Sequence, residues 1–310
     1  MNPLSHILSV QRAIIMDGGL ATELERMGHD LRHPLWSAKV LMTDPQDIIQ
    51  VHKSFMASGA DMIASTSYQL SFPGCAQIGL SKAETVDLIR RSIALAAQAR
   101  SEFTDTSLDT DRSKPLIGAS LGPYGAYLAN GAEYTGDYGV SSAELSDFHK
   151  ARLAIVDDTE ADLIMFETIP SITESLVLQK LIADVSKEVC ISFTCKNDTQ
   201  VRDNTPIEKC VSLFNHVDNV VAVGVNCTQP KYVHSIIEKM RLACPSKEIM
   251  AYPNSGEVYD GQDRSWKGRS DIQHFAEYSK LWHETGATVI GGCCRTSPSH
   301  IQAVRNIILA

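Results

Sequence analysis

The chain has 310 residues, 44% hydrophobic and 21% charged, with a formal net charge of −9. That is globular material, enough for one large domain or two small ones, and it lacks the basic footprint that nucleic acid or an anionic membrane would need. No apolar run nears the ~20 residues of a membrane span. The first residues do not follow the basic-then-apolar layout of a secretory leader. The eight cysteines are scattered, several of them inside apolar runs, rather than spaced as a disulfide scaffold. A reducing cytoplasm is the expected compartment.

Apolar, β-branched runs alternate with helical patterns along the whole chain. The first run, residues 13–16, ends in Asp17-Gly18-Gly19. Asp44 is expected to cap a helix with Pro45 at its first position, and Gly59 to stop it. A second strand at 61–66 leads to Ser67 and Tyr68. Ser81 and Glu84 form a capping box for a helix to about residue 103, and the polar tract 104–114 reads as an exposed connection. The third strand, 115–120, is followed by a Gly- and Tyr-rich insertion, 122–139, with tyrosines at 124, 127, 134 and 138. Helix 142–159 leads to strand four at 162–166, which ends in Glu167-Thr168. Helix 172–184, strand 189–194 and a short helix 206–214 precede strand six, which runs into Asn226-Cys227. Helix 230–242, strand 248–252, a Gly-, Asp- and Trp-containing loop (253–268) and helix 271–285 follow. A last strand starts at Val289 and passes through Gly291-Gly292 into Cys293-Cys294, before a closing helix from Pro298.

Eight strands, each followed by a helix, with continuous apolar runs where they are clearest, describe parallel strands buried on both faces. Eight such units in roughly 300 residues predict a (β/α)8 TIM barrel, one domain over residues 1–310. An open doubly wound sheet is the rival, but no Gly-rich phosphate loop follows any strand. In the barrel, active sites sit where the strands end at the C-terminal face. Those ends carry Asp17, Thr66, Ser120, Glu167, Thr194, Asn226, Cys227, Asn254, Cys293 and Cys294, which should therefore converge.

Adjacent cysteines are poor partners for each other, because consecutive Cα atoms are ~3.8 Å apart and a disulfide needs ~4.4–6.8 Å. A vicinal pair at a strand end suits a soft metal instead. The third ligand expected is Cys227, since strands six and eight are both even-numbered and alternate strands fill one interior layer. Three protein ligands leave a position open, as in catalytic rather than structural zinc sites, and the implied chemistry is alkylation of a substrate thiol. Cys75, Cys190, Cys195, Cys210 and Cys244 read as small buried hydrophobes. Asp17 and Glu167 are open to two readings: caps or loop-closing groups, or partners for the ammonium of an amino-acid substrate. Most of the tyrosines read as loop anchors, with a minority facing a cationic ligand.

Asp17-Gly18-Gly19, Gly224-Val225-Asn226-Cys227 and Gly291-Gly292-Cys293-Cys294-Arg295 together resemble the zinc-dependent homocysteine S-methyltransferases over essentially the whole chain. Gly122-Pro123-Tyr124-Gly125-Ala126-Tyr127-Leu128 and Tyr252-Pro253-Asn254-Ser255-Gly256-Glu257 are similar to the bacterial and plant branch that takes methyl groups from S-methylmethionine, or less efficiently from S-adenosylmethionine. The resemblance implies Zn2+ on Cys227, Cys293 and Cys294, and homocysteine bound through its sulfur with its amino group near Asp17 and Glu167. It also implies that Gly18, Gly19 and Asn226 line the site and that Tyr68, after strand two, approaches the metal when substrate is absent. Thr66, at the end of strand two, joins the expected substrate contacts. The rival functions are a betaine-using or cobalamin-dependent enzyme of the same zinc-thiolate class, and a non-catalytic zinc-stabilised binding protein.

Overall fold

The computed structural model describes residues 2–107, 112–260, 265–267 and 270–310. Among them, eight strands pair in parallel in sequence order: Ile14–Ile15, Met62–Ala64, Leu116–Leu121, Leu163–Ile169, Val189–Phe193, Val220–Asn226, Glu248–Tyr252 and Val289–Ile290. The last pairs with the first (Val289 with Ile14), and a parallel bridge from Met16 to Met62 joins the first to the second. The ring is closed, and the fold is the expected (β/α)8 barrel.

Side chains alternate across a strand, so each strand sends every second residue inward. The interior column holds Ile14 and Met16, Met62, Leu163 and Met165, Cys190, Ala222, Met250 and Val289. Stepping on by two from these apolar positions reaches Glu167, Ser192, Asn226, Tyr252 and Cys293. The mouth is polar because the inward-facing series changes character in the last turn of the pleat. Below it, glycines make room for methionines: a Cβ on Gly224 would lie 2.5 Å from the Met250 Cβ, and one on Gly291 would lie 2.5 Å from that of Met16. The other, larger apolar layer lies between the strands and the helices around them.

The structure adds elements that the sequence did not announce. A six-residue helix, Pro3–Leu8, capped by the Asn2 side chain, buries Leu4 and Ile7 in the interior cluster and so closes the lower end of the barrel. Leu20–Arg26 and Val40–Thr43 are short helices within the expected polar loop. The helix Lys82–Ser107 runs beyond residue 103 into the tract read as a connection, whose residues 108–111 lie outside the described ones. The loop 253–268 carries a small antiparallel hairpin, Val258–Asp260 with Ser265–Lys267, while 261–264 and 268–269 lie outside the described residues. Asp44 does precede the helix Pro45–Ala57, but its side chain makes no capping bond. It approaches His29 instead (3.9 Å). The Ser81–Glu84 box forms as expected. No helix among the described residues is long and apolar enough to cross a membrane.

Candidate metal and substrate site

Strands six and eight bring three sulfurs together. The Sγ atoms of Cys227, Cys293 and Cys294 all lie within 4.8 Å of one another, with Cys227 and Cys293 in contact at 2.6 Å. Alternation alone would not achieve this. Val225 faces the helices, as its place in the outer core layer shows, so a straight strand would turn Cys227 the same way. Cys227 instead takes a left-handed backbone (φ 46°), a conformation that costs of order 1–3 kcal/mol for a non-glycine residue and clusters at functional sites. Thr168, just after Glu167, is also left-handed (φ 63°). One side chain braces both turns: Asn226 accepts from the Thr168 amide (2.8 Å) and from Ser192 Oγ (2.8 Å), and donates to Thr168 Oγ1 (2.8 Å). Thr194 Oγ1 donates to the Cys227 carbonyl from behind (3.2 Å).

The cysteine pair is stitched to its neighbouring loops. Gly292 N donates to Asp17 O (3.0 Å), Cys293 N to Pro253 O (2.8 Å), and Ser255 N to Cys294 O (3.1 Å). Gly19 is required by this closeness, since a Cβ there would lie 2.8 Å from the Cys293 carbonyl oxygen.

The sulfurs open onto a cavity of about 720 Å³, lined also by Asp17, Gly18, Gly19, Thr66, Tyr68, Ser120, Glu167, Asn226 and Tyr252. Of the strand ends expected to converge, all but Thr194 and Asn254 line this cavity, together with Gly18, Gly19 and Tyr68. Asp17 and Glu167 are buried, at 4% and 8% exposure, and among the described residues neither forms an ion pair. Asp17 accepts from the Ala64 amide (2.9 Å) and from its own amide. Glu167 accepts from Ser120 Oγ and meets Tyr252. Burial pushes the Glu167 carboxyl up to about 7 against the pull of Ser120. Burial likewise holds Asp17 well above the usual carboxylate range, opposed by the Ala64 bond and reinforced by Glu167 and Cys293. Neither acid caps a helix, and a positive charge beside them would restore ordinary ionisation.

The same logic tests the sulfurs against a metal. Hydrogen bonds from Cys227 and then Cys294 hold the Cys293 thiol well below its ordinary range, while the contact with Cys293, then that with Cys294, pushes Cys227 well above it. Cys293 is therefore the sulfur most readily ionised, and a soft divalent ion would favour ionisation of all three. Tetrahedral zinc, with Zn–S of ~2.3 Å, sets sulfurs ~3.8 Å apart, so the trio, within 4.8 Å of one another, would take it once Cys227 and Cys293 part from their 2.6 Å contact. The donors fit. Among the described residues no fourth Cys, His, Asp or Glu joins the group.

The remaining residues divide the cavity wall. The Tyr68 ring packs edge-on to Trp36 (6.1 Å), its hydroxyl reaches Thr168, and it lies within electrostatic reach of Cys227 and Cys293. Thr66 Oγ1 is buried without a partner. Thr194 and Asn254, also read as strand ends, support the site without lining the cavity. Sequence reasoning missed Tyr252, Ser192, Trp36, Glu133 and Tyr134. The first two were detectable by counting in twos from Met250 and Cys190; the others carry no local signal. Of the four tyrosines in the insertion, Tyr124, Tyr127 and Tyr138 are anchors, with Tyr124 packing against the other two and against Phe148. Only Tyr134 of the four lines the cavity.

Known proteins resemble this chain over almost its whole length. The sequence pattern of the family described as Homocysteine S-methyltransferase matches residues 14–308. A Bacillus subtilis (strain 168) protein, Homocysteine S-methyltransferase YbgG, is 43% identical over 98% of this chain and 97% of its own. Homocysteine S-methyltransferase 3 of Arabidopsis thaliana is 41% identical over 95% of this chain and 89% of its own. The crystal structure of the metallated form of the Escherichia coli homocysteine methyltransferase MmuM superposes with a TM-score of 0.87 at 34% identity, covering 98% of this chain and 99% of that one.

Proposed function

Because the chain belongs to the homocysteine S-methyltransferase family and is a methyltransferase of that activity, we propose that it holds zinc on Cys227, Cys293 and Cys294 and methylates homocysteine from a sulfonium donor. The observation that carries this reading is the convergence of three sulfurs at a barrel mouth that also buries two acids without a cation. Zinc in a tri-thiolate setting supplies acidification of a substrate thiol and leaves the sulfur nucleophilic.

The protein's own residues do the rest. Asp17 and Glu167 receive the ammonium of homocysteine, and its charge draws both carboxyls into their ionised forms. Ser120 and Tyr252 fix the Glu167 carboxylate, while the Ala64 amide fixes that of Asp17. Gly18, Gly19, Asn226 and Thr66 line the substrate's path, with the free Thr66 hydroxyl available to a polar group of the ligand. Tyr68 fills the space near the sulfurs and yields it to substrate. In the transfer, the homocysteine sulfur forms a bond to the methyl carbon. The bond from that carbon to the donor sulfur breaks, its electron pair stays on the donor as a neutral thioether, and the thiol proton goes to solvent. Charge is neutralised along the way, so orientation and exclusion of water favour the reaction. The segments 122–139 and 253–268 are the proposed cover. S-Methylmethionine is the proposed donor, with S-adenosylmethionine a weaker one; the former yields two methionines. The single barrel domain acts in the cytoplasm, where its thiols stay reduced.

One assay tests this: homocysteine with S-methylmethionine, S-adenosylmethionine or betaine in parallel, with and without chelator, alongside metal analysis of the wild type and of Cys294→Ala. Turnover should be fastest with S-methylmethionine, stop on chelation, and fall at least about 10³-fold in Cys294→Ala together with zinc content. Full activity in that variant would overturn the ligand assignment, and preference for betaine would overturn the donor.

A further inference from the structure

Glu133 stands on the short turn Ala132–Tyr134 and lines the mouth cavity beside Tyr134 and Tyr68. One of its carboxylate oxygens, Oε2, is shut from solvent and has no hydrogen-bond partner among the described residues. The carboxylate takes a bond from its own backbone amide and feels the charge of Arg202 at a distance. Arg202 is engaged elsewhere: its guanidinium lies over the Tyr134 ring (5.0 Å) and its Nε donates to Thr194 Oγ1 (3.3 Å). Glu133 is also close enough to the sulfurs to disfavour ionisation of Cys294. A shielded carboxylate oxygen without a partner costs free energy, and a flexible loop would relieve it by turning outward.

The turn is held in place. Gly125 packs so tightly against it that a Cβ there would lie 2.7 Å from the Ala132 carbonyl carbon and 2.7 Å from the Tyr138 ring. Tyr138 is in turn tied to the fully buried Glu174 (3.0 Å). Glu133 is therefore presented to the cavity by a platform, with one carboxylate oxygen left unpartnered among the described residues. The remaining acid of the cavity wall, Glu25, has Arg295 nearby, as Glu133 has Arg202, but of the two only Glu133 buries an unpartnered oxygen among the described residues.

We propose that Glu133 is a specificity-determining residue that receives the positively charged sulfur of the methyl donor, with the Tyr68 and Tyr134 rings completing the subsite. This rests on the sulfonium-donor reading above. Asp17 and Glu167 are assigned to the ammonium of homocysteine, and the sulfonium is the one charge that separates a donor from its demethylated product. Aromatic faces attract onium groups, and a carboxylate among them favours the charged donor over the neutral thioether. Binding that weakens once the methyl has left also helps release.

The test is Glu133→Gln in the zinc-loaded, full-length enzyme, with S-methylmethionine as donor and methionine as competitor against it. Methionine keeps the ammonium and carboxylate of the donor and lacks one S-methyl group and, with it, the charge on sulfur. Glu133→Gln should raise KM for S-methylmethionine about tenfold, leaving the KM for homocysteine, kcat at saturating donor and inhibition by methionine within about twofold. Glu133→Asp, which keeps the charge, should recover part of the loss, separating charge from folding. An unchanged donor KM would overturn the assignment, as would a parallel weakening of methionine, which would place Glu133 on the ammonium instead. Absence of transfer from S-methylmethionine in the wild type would sink the donor reading itself, and this proposal with it.

Discussion

The two ends of the barrel bury the same kind of group and treat it in opposite ways. At the lower end Asp61, 1% exposed, accepts from Arg305 (2.9 and 3.1 Å), Arg112 (3.3 Å), Gln11 (2.7 Å) and the Ile15 amide (3.1 Å). At the mouth, Asp17 and Glu167 are almost as deeply buried and meet two backbone amides, a serine and a tyrosine between them, with no cation among the described residues. Buried charges are ordinarily paired. The lower end obeys that rule with residues of the chain. The mouth departs from it, and under the function proposed above the reaction itself would bring the missing positive charge, as the ammonium of homocysteine.

That contrast is broken most severely by exchanging the roles of the two aspartates in experiment. Asp61→Ala leaves two guanidiniums facing each other in a dry pocket and should cost about 3–5 kcal/mol of stability, read as a shift in denaturant midpoint, with homocysteine KM unchanged in the protein that still folds. Asp17→Asn should do the reverse. The metal-free protein should keep or gain stability, since an unpaired buried carboxyl is removed, while homocysteine affinity falls about a hundredfold. A destabilised Asp17→Asn with normal affinity would make Asp17 a structural group like Asp61.

A smaller effect sharpens the same point through pH. Burial raises the folded-state Glu167 carboxyl from its ordinary 4.5 to about 7, so between those values the folded state binds a proton that the unfolded state has lost. Stability then falls as pH rises through that window. The shift corresponds to about 3 kcal/mol at most from this group. Metal-free protein should therefore melt higher at pH 5.5 than at pH 7.5. Zinc and homocysteine should flatten the slope by stabilising the carboxylate, and Glu167→Gln should remove the contribution. A metal-free protein that gains stability over the same rise would show that Glu167 already has a cationic partner.

Why some of this was legible in the sequence and some was not follows from the range of each signal. Continuous apolar strands and their polar ends are local, so the barrel and its converging residues could be read directly. The pairing of Cys227 with Cys293 and Cys294 followed from strand parity around the ring. The left-handed turn that aims Cys227 inward could not be read, because neighbouring Asn226 supplies it by bracing a different strand at Thr168. Tyr252 was overlooked in favour of Asn254 because tyrosine belongs equally to a strand and to a site. The plug Pro3–Leu8 is too short for periodicity to reveal, and only burial of Leu4 and Ile7 sustains it. Glu133 lies in an insertion whose pattern gives its anchors and not its aim.

Those anchors provide the mildest test. Arg152, buried between helix and insertion, donates to His149 Nδ1 (3.0 Å) and to the Gly122 carbonyl (2.8 Å). Because a guanidinium can only donate, Nδ1 accepts and the proton sits on Nε2, which donates to Glu174 (2.7 Å). Glu174 also accepts from the Tyr124 amide (2.7 Å) and from the Tyr138 hydroxyl (3.0 Å), so one buried carboxylate pins the insertion near both of its ends. Here a carboxylate at the upper end has every partner it needs, the condition of Asp61 rather than of Asp17. Tyr138→Phe removes one of those bonds and should cost about 1–2 kcal/mol, while Tyr127→Phe, whose hydroxyl meets only Gln77 at the surface (3.3 Å), should cost less than about 0.5 kcal/mol. If the insertion serves as the platform for Glu133, Tyr138→Phe should also raise the donor KM a few-fold and spare that of homocysteine. Equal costs in the two variants would show that Glu174 does not hold the insertion, and that the upper end keeps its order by aromatic packing alone.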